Sequence, residues 1–207
     1  MIDVFSKYSV RYDRWYDVSR QAYFSELEAL RKVMPKFGKG LEIGVGTGRF
    51  AQALGITLGI DPSAEMLRIA DRRGVNTRRG FGEDLPFWHG SFDYVAIIIA
   101  LCFVDDPLKV LEEAKRVLQN NGRIILAVVD KNSFLGKYYL KKKSIFYKNA
   151  RFFSIREISK MLNKLGFKKL SYFQTIFDLP EKINSVQKPI KGCGKGGFVV
   201  ISGQKCD

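Results

Sequence analysis

No run of about 18 apolar residues occurs in this 207-residue chain, which excludes a membrane-spanning helix. The opening stretch MIDVFSKYSVRYDRWYDV is too polar for a signal peptide, and a cytoplasmic protein is expected. Cysteine is scarce: Cys102, Cys193 and Cys206 form an odd set with no C-x-x-C spacing. That argues against both a disulfide framework and a structural zinc site, so no metal is expected and the thiols are expected to be reduced. Histidine is rarer still, and the single His89, in the turn PFWHGSF, reads as an exposed loop residue rather than a base. No internal repeat or long disordered linker breaks the chain, and 46% hydrophobic content suffices for one packed domain over residues 1–207.

What is present is a strong local pattern. LEIGVGTGRF, from Leu41 to Phe50, reads as a buried strand, a tight glycine turn and the opening of a helix. ITLGIDPSAEML then gives a second strand ending at Asp61, with Pro62 stopping it. Gly44, Gly46 and Gly48 let the backbone reverse and approach a ligand with no Cβ in the way. Asp61, at the carboxyl end of its strand, is placed to accept both hydrogens of a ribose diol. One further absence separates two nucleotide families. The dinucleotide pattern G-x-G-x-x-G needs a third glycine where this chain has Arg49. Here the pattern is G-x-G-x-G, preceded by the acid Glu42.

That turn resembles motif I of the class I S-adenosylmethionine-dependent methyltransferases, and three later segments resemble the same family in order. GIDPSAEMLRIA, Gly59 to Ala70, is similar to its second motif. Gly80 to Pro107 is similar to the adenine loop and fourth strand of the subgroup that includes ubiquinone and menaquinone biosynthesis methyltransferases. Leu111 to Val128 resembles the helix, turn and fifth strand that follow. The resemblance implies S-adenosyl-L-methionine as cofactor, with Glu42 serving its ammonium group and Asp61 and Pro62 beside its ribose. It further implies Met66 near the adenine, an adenine loop at Gly82, Glu83 and Asp84, contacts from Ala100 and Leu101 after the fourth strand, and Tyr12 as a cofactor neighbour. Two departures matter. Phe81 stands where many relatives carry an acid for the exocyclic amine, leaving that duty to Glu83 and backbone groups or to apolar contact. Leu101, Cys102 and Phe103 stand where many carry a histidine, so no histidine role transfers.

The expected architecture is α/β: a doubly wound, seven-stranded, mostly parallel sheet with an antiparallel C-terminal hairpin. Strands are expected near Gly40–Ile43, Leu58–Ile60, Asn76–Arg78, Tyr94–Ile99 and Arg123–Val129. YVAIIIA and IILAVV have the non-alternating apolar character of buried parallel strands. Helices are expected near Ser19–Met34, capped by Ser19, and near Gly48–Leu54, Ala64–Arg72, Leu108–Leu118 and Ile155–Leu165. The resemblance adds an edge hairpin of Phe167–Phe177 with Gly197–Gly203. In such a sheet Glu42, Asp61, Glu83 and Ala100 to Phe103 gather beyond the strands' carboxyl ends, where the strand order reverses.

The flanks are expected to shape the acceptor site. Residues 1–35 read as a helical lid, 36–130 as the cofactor-binding core, 131–153 as a lid insertion and 154–207 as the C-terminal helix and hairpin. Residues 131–153 contain no acid, and a lid or an aromatic helix with a solvated lysine face explains them equally well. Net charge +14 makes RNA the second acceptor class, gripped by Lys141, Lys142 and Lys143. Against it, the chain has no N-P-P-Y-like tetrapeptide and no Pro-Cys nucleophile. A small-molecule acceptor is expected first. A cofactor-binding protein without transfer activity, or an aminopropyl transferase on the same fold, comes third. Tyr12, Asp105, Asp106 and Asp130 are titratable residues near the cleft, yet none carries a motif that identifies a catalytic base.

Overall fold

In the computed structural model, residues 2–142 and 144–206 are described, with side chains from residue 4 onward. Three helices open the chain: α1 (Ile2–Lys7), α2 (Ser9–Val18) and α3 (Arg20–Arg31). Strand and helix then alternate as β1 (Gly40–Ile43), α4 (Arg49–Leu54), β2 (Leu58–Asp61), α5 (Ala64–Arg72), β3 (Asn76–Arg79), β4 (Phe92–Ile98), α6 (Pro107–Val117) and β5 (Leu118–Val129). After α7 (Phe134–Lys141) and α8 (Ile155–Lys164) come β6 (Phe167–Thr175), β7 (Ile190–Lys191) and β8 (Phe198–Lys205).

The strands form one sheet in the order β3-β2-β1-β4-β5-β8-β6-β7. The first five are parallel, while β8 runs antiparallel to both β5 and β6. The order reverses between β1 and β4, the position where open α/β sheets leave a crevice. Helices cover both faces. Val110, Leu111 and Ala114 of α6 and Ile158 and Leu162 of α8 bury one face, and Leu27 and Leu30 of α3, Phe50 of α4 and Tyr139 of α7 lie on the other. Among the described residues no helix is long and apolar enough to cross a membrane.

The sheet has eight strands, one more than expected. The extra strand is the two-residue β7, which pairs with Phe173 and Gln174 and takes the edge expected for the hairpin. β5 begins five residues early, because Leu118 pairs with Phe92 ahead of a register shift. Ser19 forms no side-chain cap; its backbone N–H donates to Trp15 instead, so the chain passes from α2 to α3 with almost no loop. By contrast Ser154 and Glu157 form a full capping box at α8.

Candidate functional site

The glycine turn joins β1 to α4 at the reversal of strand order. Its entry is fixed by the N–H groups of Gly44 and Val45, which both donate to the Ile60 carbonyl at 2.8 and 3.0 Å. Gly46 and Gly48 hold φ of +52° and +76°, a left-handed region costly for side chains bearing a Cβ. The two have different surroundings. A Cβ on Gly46 would meet open space, whereas one on Gly48 would strike Ala70 at 2.9 Å, so Gly48 serves helix packing rather than ligand approach.

Asp61 closes the turn from the next strand. Its Oδ2 accepts the Gly46 N–H at 3.0 Å and its Oδ1 accepts the Ser63 N–H at 2.9 Å, leaving a second lone pair on each oxygen. Burial raises this carboxyl above its ordinary value, although the two hydrogen bonds oppose the shift. Gly44, Gly46, Asp61, Pro62 and Met66 form one wall of a cavity of about 120 Å³. Ile98, Ile99, Ala100 and Phe103 form another, and Phe5 and Tyr12 also line it. Glu42 lies one layer behind, 2% exposed, with Oε2 lacking any hydrogen-bond partner. Burial first, and Asp61 second, push its carboxyl well above the ordinary range. An orphaned carboxyl oxygen beside a bare backbone turn and a half-satisfied Asp suits a ligand carrying an ammonium group and a diol, as S-adenosylmethionine does.

A neighbouring cavity of about 100 Å³ shares Gly44, Pro62 and Phe103 with the first and is lined by Phe81, Gly82 and Glu83. Glu83 Oε1 accepts the N–H groups of Asp105 and Asp106 at 3.0 and 3.3 Å, which ties the expected adenine loop to the loop after β4. Gly82 is small for packing, since a Cβ there would meet Ile43 at 2.8 Å. Several candidates stand elsewhere. Leu101 is 1% exposed and packs in the core on the α6 face, so Ile98, Ile99 and Phe103 take the lining role expected of it. Asp84 is exposed and lines neither cavity. Gly48 and Glu42 also lie outside the lining.

Arg49, notable in the sequence only for not being glycine, turns out to hold the N-terminal helix in place. Its guanidinium meets both Asp13 oxygens at 3.0 and 2.8 Å and both Asp17 oxygens at 2.7 and 2.8 Å. Arg73 adds a second cation on Asp13 at 2.8 Å. Burial alone would raise the Asp13 carboxyl, but hydrogen bonds from Arg49, Arg73 and Thr47 outweigh it and bring it down to about 2. The clamp lays α2 against α4 and sets Tyr12 at the cavity, with its hydroxyl 2.9 Å from that of Tyr16. The signal was present in the spacing: Asp13 and Asp17 share one face of a helix at i and i+4.

In residues 131–153 the described part shows an aromatic helix packed on the core with a solvated lysine face. Leu135 and Tyr139 of α7 are buried while Lys137 and Lys141 face solvent. Beyond α7, Tyr147 stacks on Tyr139 and Phe103 with centroids 4.7 and 6.1 Å apart. Lys142 pairs with Glu181 at 3.5 Å, and Lys143 lies outside the described residues. Other candidates serve structure: Asp106 caps α6 through the Lys109 N–H, and Asp130 accepts the Asn132 N–H. Asp105 is exposed at the rim of the second cavity. His89 is exposed, and burial pushes the Cys102 thiol up to about 12, so it stays protonated.

A family model described as a methyltransferase domain matches residues 41–126, which span the turn and the central strands. An uncharacterized protein of Methanocaldococcus jannaschii is 48% identical over 99% of this chain and 100% of its own length. A crystal structure from Thermotoga maritima, described as an SAM-dependent methyltransferase and possible histamine N-methyltransferase, is 45% identical. It covers 99% of this chain and 100% of that chain, with a TM-score of 0.96. A demethylmenaquinone methyltransferase of the same organism is 35% identical over 55% of this chain and 53% of its own length. Agreement along the whole chain at that identity, with the family model covering the turn itself, makes this chain a class I S-adenosylmethionine-dependent methyltransferase, with S-adenosylmethionine as its cofactor.

Proposed function

We propose that the methyl acceptor is a small molecule, enclosed beneath residues 1–35 and 131–153 acting as lids over a cofactor-binding core of residues 36–130. The observation that carries this reading is a third cavity, of about 220 Å³, bounded by α2, α3, α7 and the Ser144–Tyr147 segment. It shares Tyr12 and Ile99 with the cavity at the glycine turn, so an acceptor within it adjoins the cofactor site. Its size suits a metabolite and not a nucleotide chain. The Thermotoga maritima relatives are described with histamine and demethylmenaquinone, both small molecules.

In this reading the cofactor lies along the turn, with Gly44 and Gly46 presenting backbone, Asp61 on the ribose hydroxyls and Glu42 supplying negative charge to the ammonium. Pro62 and Met66 pack beside the nucleoside, and Gly82 and Glu83 border the adenine end. The bound sulfonium supplies an activated methyl group on a good leaving group. The protein's share is alignment and the exclusion of water. Tyr12 and Ile99, common to both cavities, set the approach of acceptor to methyl. Ile99 does so from φ +57°, a conformation strained for a β-branched residue and sustained by its N–H bond to Ala127 at 2.8 Å.

RNA remains the second reading, favoured by the net charge of +14. Purified enzyme with methyl-labelled S-adenosylmethionine, offered a metabolite extract and total RNA, separates the two. Label in the small-molecule fraction is the expected result. Label confined to RNA would overturn the proposal.

A further inference from the structure

The third cavity contains a group that neither the cofactor nor the fold requires. Glu26, on α3, lines it while being 4% exposed, and its Oε2 has no hydrogen-bond partner. A carboxylate buried without a partner carries a large desolvation cost, and a helix facing an apolar core would be more stable with leucine there. Around it stand six rings: Tyr12, Trp15, Tyr16, Tyr139, Phe146 and Tyr147. Ring faces attract cations through their quadrupole, and the attraction grows where water is excluded. The described lining also holds two cations of its own. Arg11 is exposed, and Lys142 is engaged by Glu181 at 3.5 Å and by the Tyr138 ring at 5.0 Å.

We infer that this cavity is the acceptor subsite and takes a small organic amine, whose ammonium group pairs with Glu26 inside the ring of aromatic side chains. The inference rests on the small-molecule reading above and names its substrate class. An ammonium supplies what the site lacks: donors for the orphaned oxygen and positive charge against the ring faces.

Burial pushes the Glu26 carboxyl up to about 8, so the free enzyme holds it protonated at neutral pH. The titratable groups coupled to it are Tyr12 and Tyr16 on α2, Tyr23 on its own helix, Tyr139 on α7 and Tyr147, all shifted above the ordinary tyrosine value by burial. Glu26 is therefore the group among them that changes charge near neutrality. Pairing with an ammonium requires the carboxylate, so amine binding below pH 8 displaces a proton from Glu26.

The test is calorimetry with S-adenosylhomocysteine present, using amines from ethylamine to 2-phenylethylamine, each beside the alcohol of the same skeleton. At least one amine should bind at least about tenfold more tightly than its alcohol. At pH 6.5, titrations in buffers of different ionisation enthalpy should show about one proton released per amine bound. Glu26→Gln should abolish both the preference and the proton release while leaving S-adenosylhomocysteine affinity unchanged. Failure of every amine to outbind its alcohol, absence of proton release in the wild-type enzyme, or a preference that survives in Glu26→Gln would each overturn the assignment. The wild-type measurements stand even if the variant misfolds. Methyl label on neutral small acceptors alone would refute the amine while sparing the small-molecule reading; label on RNA alone would end both.

Discussion

The Gly46 N–H donates to Asp61 Oδ2 at 3.0 Å, so the amide of the turn's middle glycine is fixed by the acid at the end of the neighbouring strand. That bond joins the glycine turn to the end of β2 and makes Asp61 a brace as well as the ribose contact proposed above. Asp61→Ala should therefore weaken S-adenosylhomocysteine binding by about tenfold to a hundredfold, through lost charge-assisted bonds and a loosened turn. Calorimetry on a variant shown to be folded reads this directly. An unchanged dissociation constant would leave Asp61 as a brace alone.

Arg49 makes the second prediction. Arg49→Ala removes four contacts shorter than about 3.1 Å to Asp13 and Asp17 and leaves the half-buried Asp13 with Arg73 and Thr47 as remaining partners. A loss of about 1.5–3 kcal/mol is expected, concentrated in α2 rather than in the sheet. Limited proteolysis should then cut within residues 9–18 faster than in the wild-type protein, and cofactor affinity should fall because Tyr12 loses its support. Equal protection of α2 in both proteins would contradict the clamp.

Two carboxyl groups predict opposite pH behaviour. Asp13 falls from an ordinary 3.8 to about 2, so its contribution is full above pH 3.8 and is lost as pH drops toward 2. Glu26 rises from 4.5 to about 8, so the folded protein keeps a proton that the unfolded chain gives up. Its contribution is full below pH 4.5 and is gone once pH passes about 8. Melting curves at pH 5 and pH 8.5 should show Glu26→Gln gaining on the wild-type protein at the higher pH. An equal difference at both pH values would show that Glu26 titrates normally.

Much of the core was legible because its signals are local. Alternating strands and helices and the positive-φ glycines each follow from residues close in sequence. The burial of the Leu101 side chain depends on which side of the chain faces α6 after β4 ends, and a run such as IIIALCFV carries no period to decide that. Glu26 was missed for a related reason. In SELEAL it looks like any surface acid of an amphipathic helix, and only the packing of α2 and α7 over α3 buries it. For the Arg49 clamp the i, i+4 acids of α2 are a local signal, but the cation they meet lies 36 residues from Asp13.

The lysines of residues 131–153 give a fourth prediction. Lys142 is already paired with Glu181, and Lys137 and Lys141 are solvated. Binding to a generic RNA should accordingly be weak at physiological salt, and Lys141→Ala with Lys142→Ala should change its salt dependence little. Tight, structure-selective RNA binding whose salt slope flattens by about two units in the double variant would favour the RNA reading.

The turn that Gly44, Gly46 and Asp61 build is tested most directly by titration of S-adenosylhomocysteine and NADH into the wild-type protein. With Arg49 where a dinucleotide site needs glycine, S-adenosylhomocysteine should bind and NADH should give no heat beyond dilution. Saturable NADH binding with no response to S-adenosylhomocysteine would contradict it.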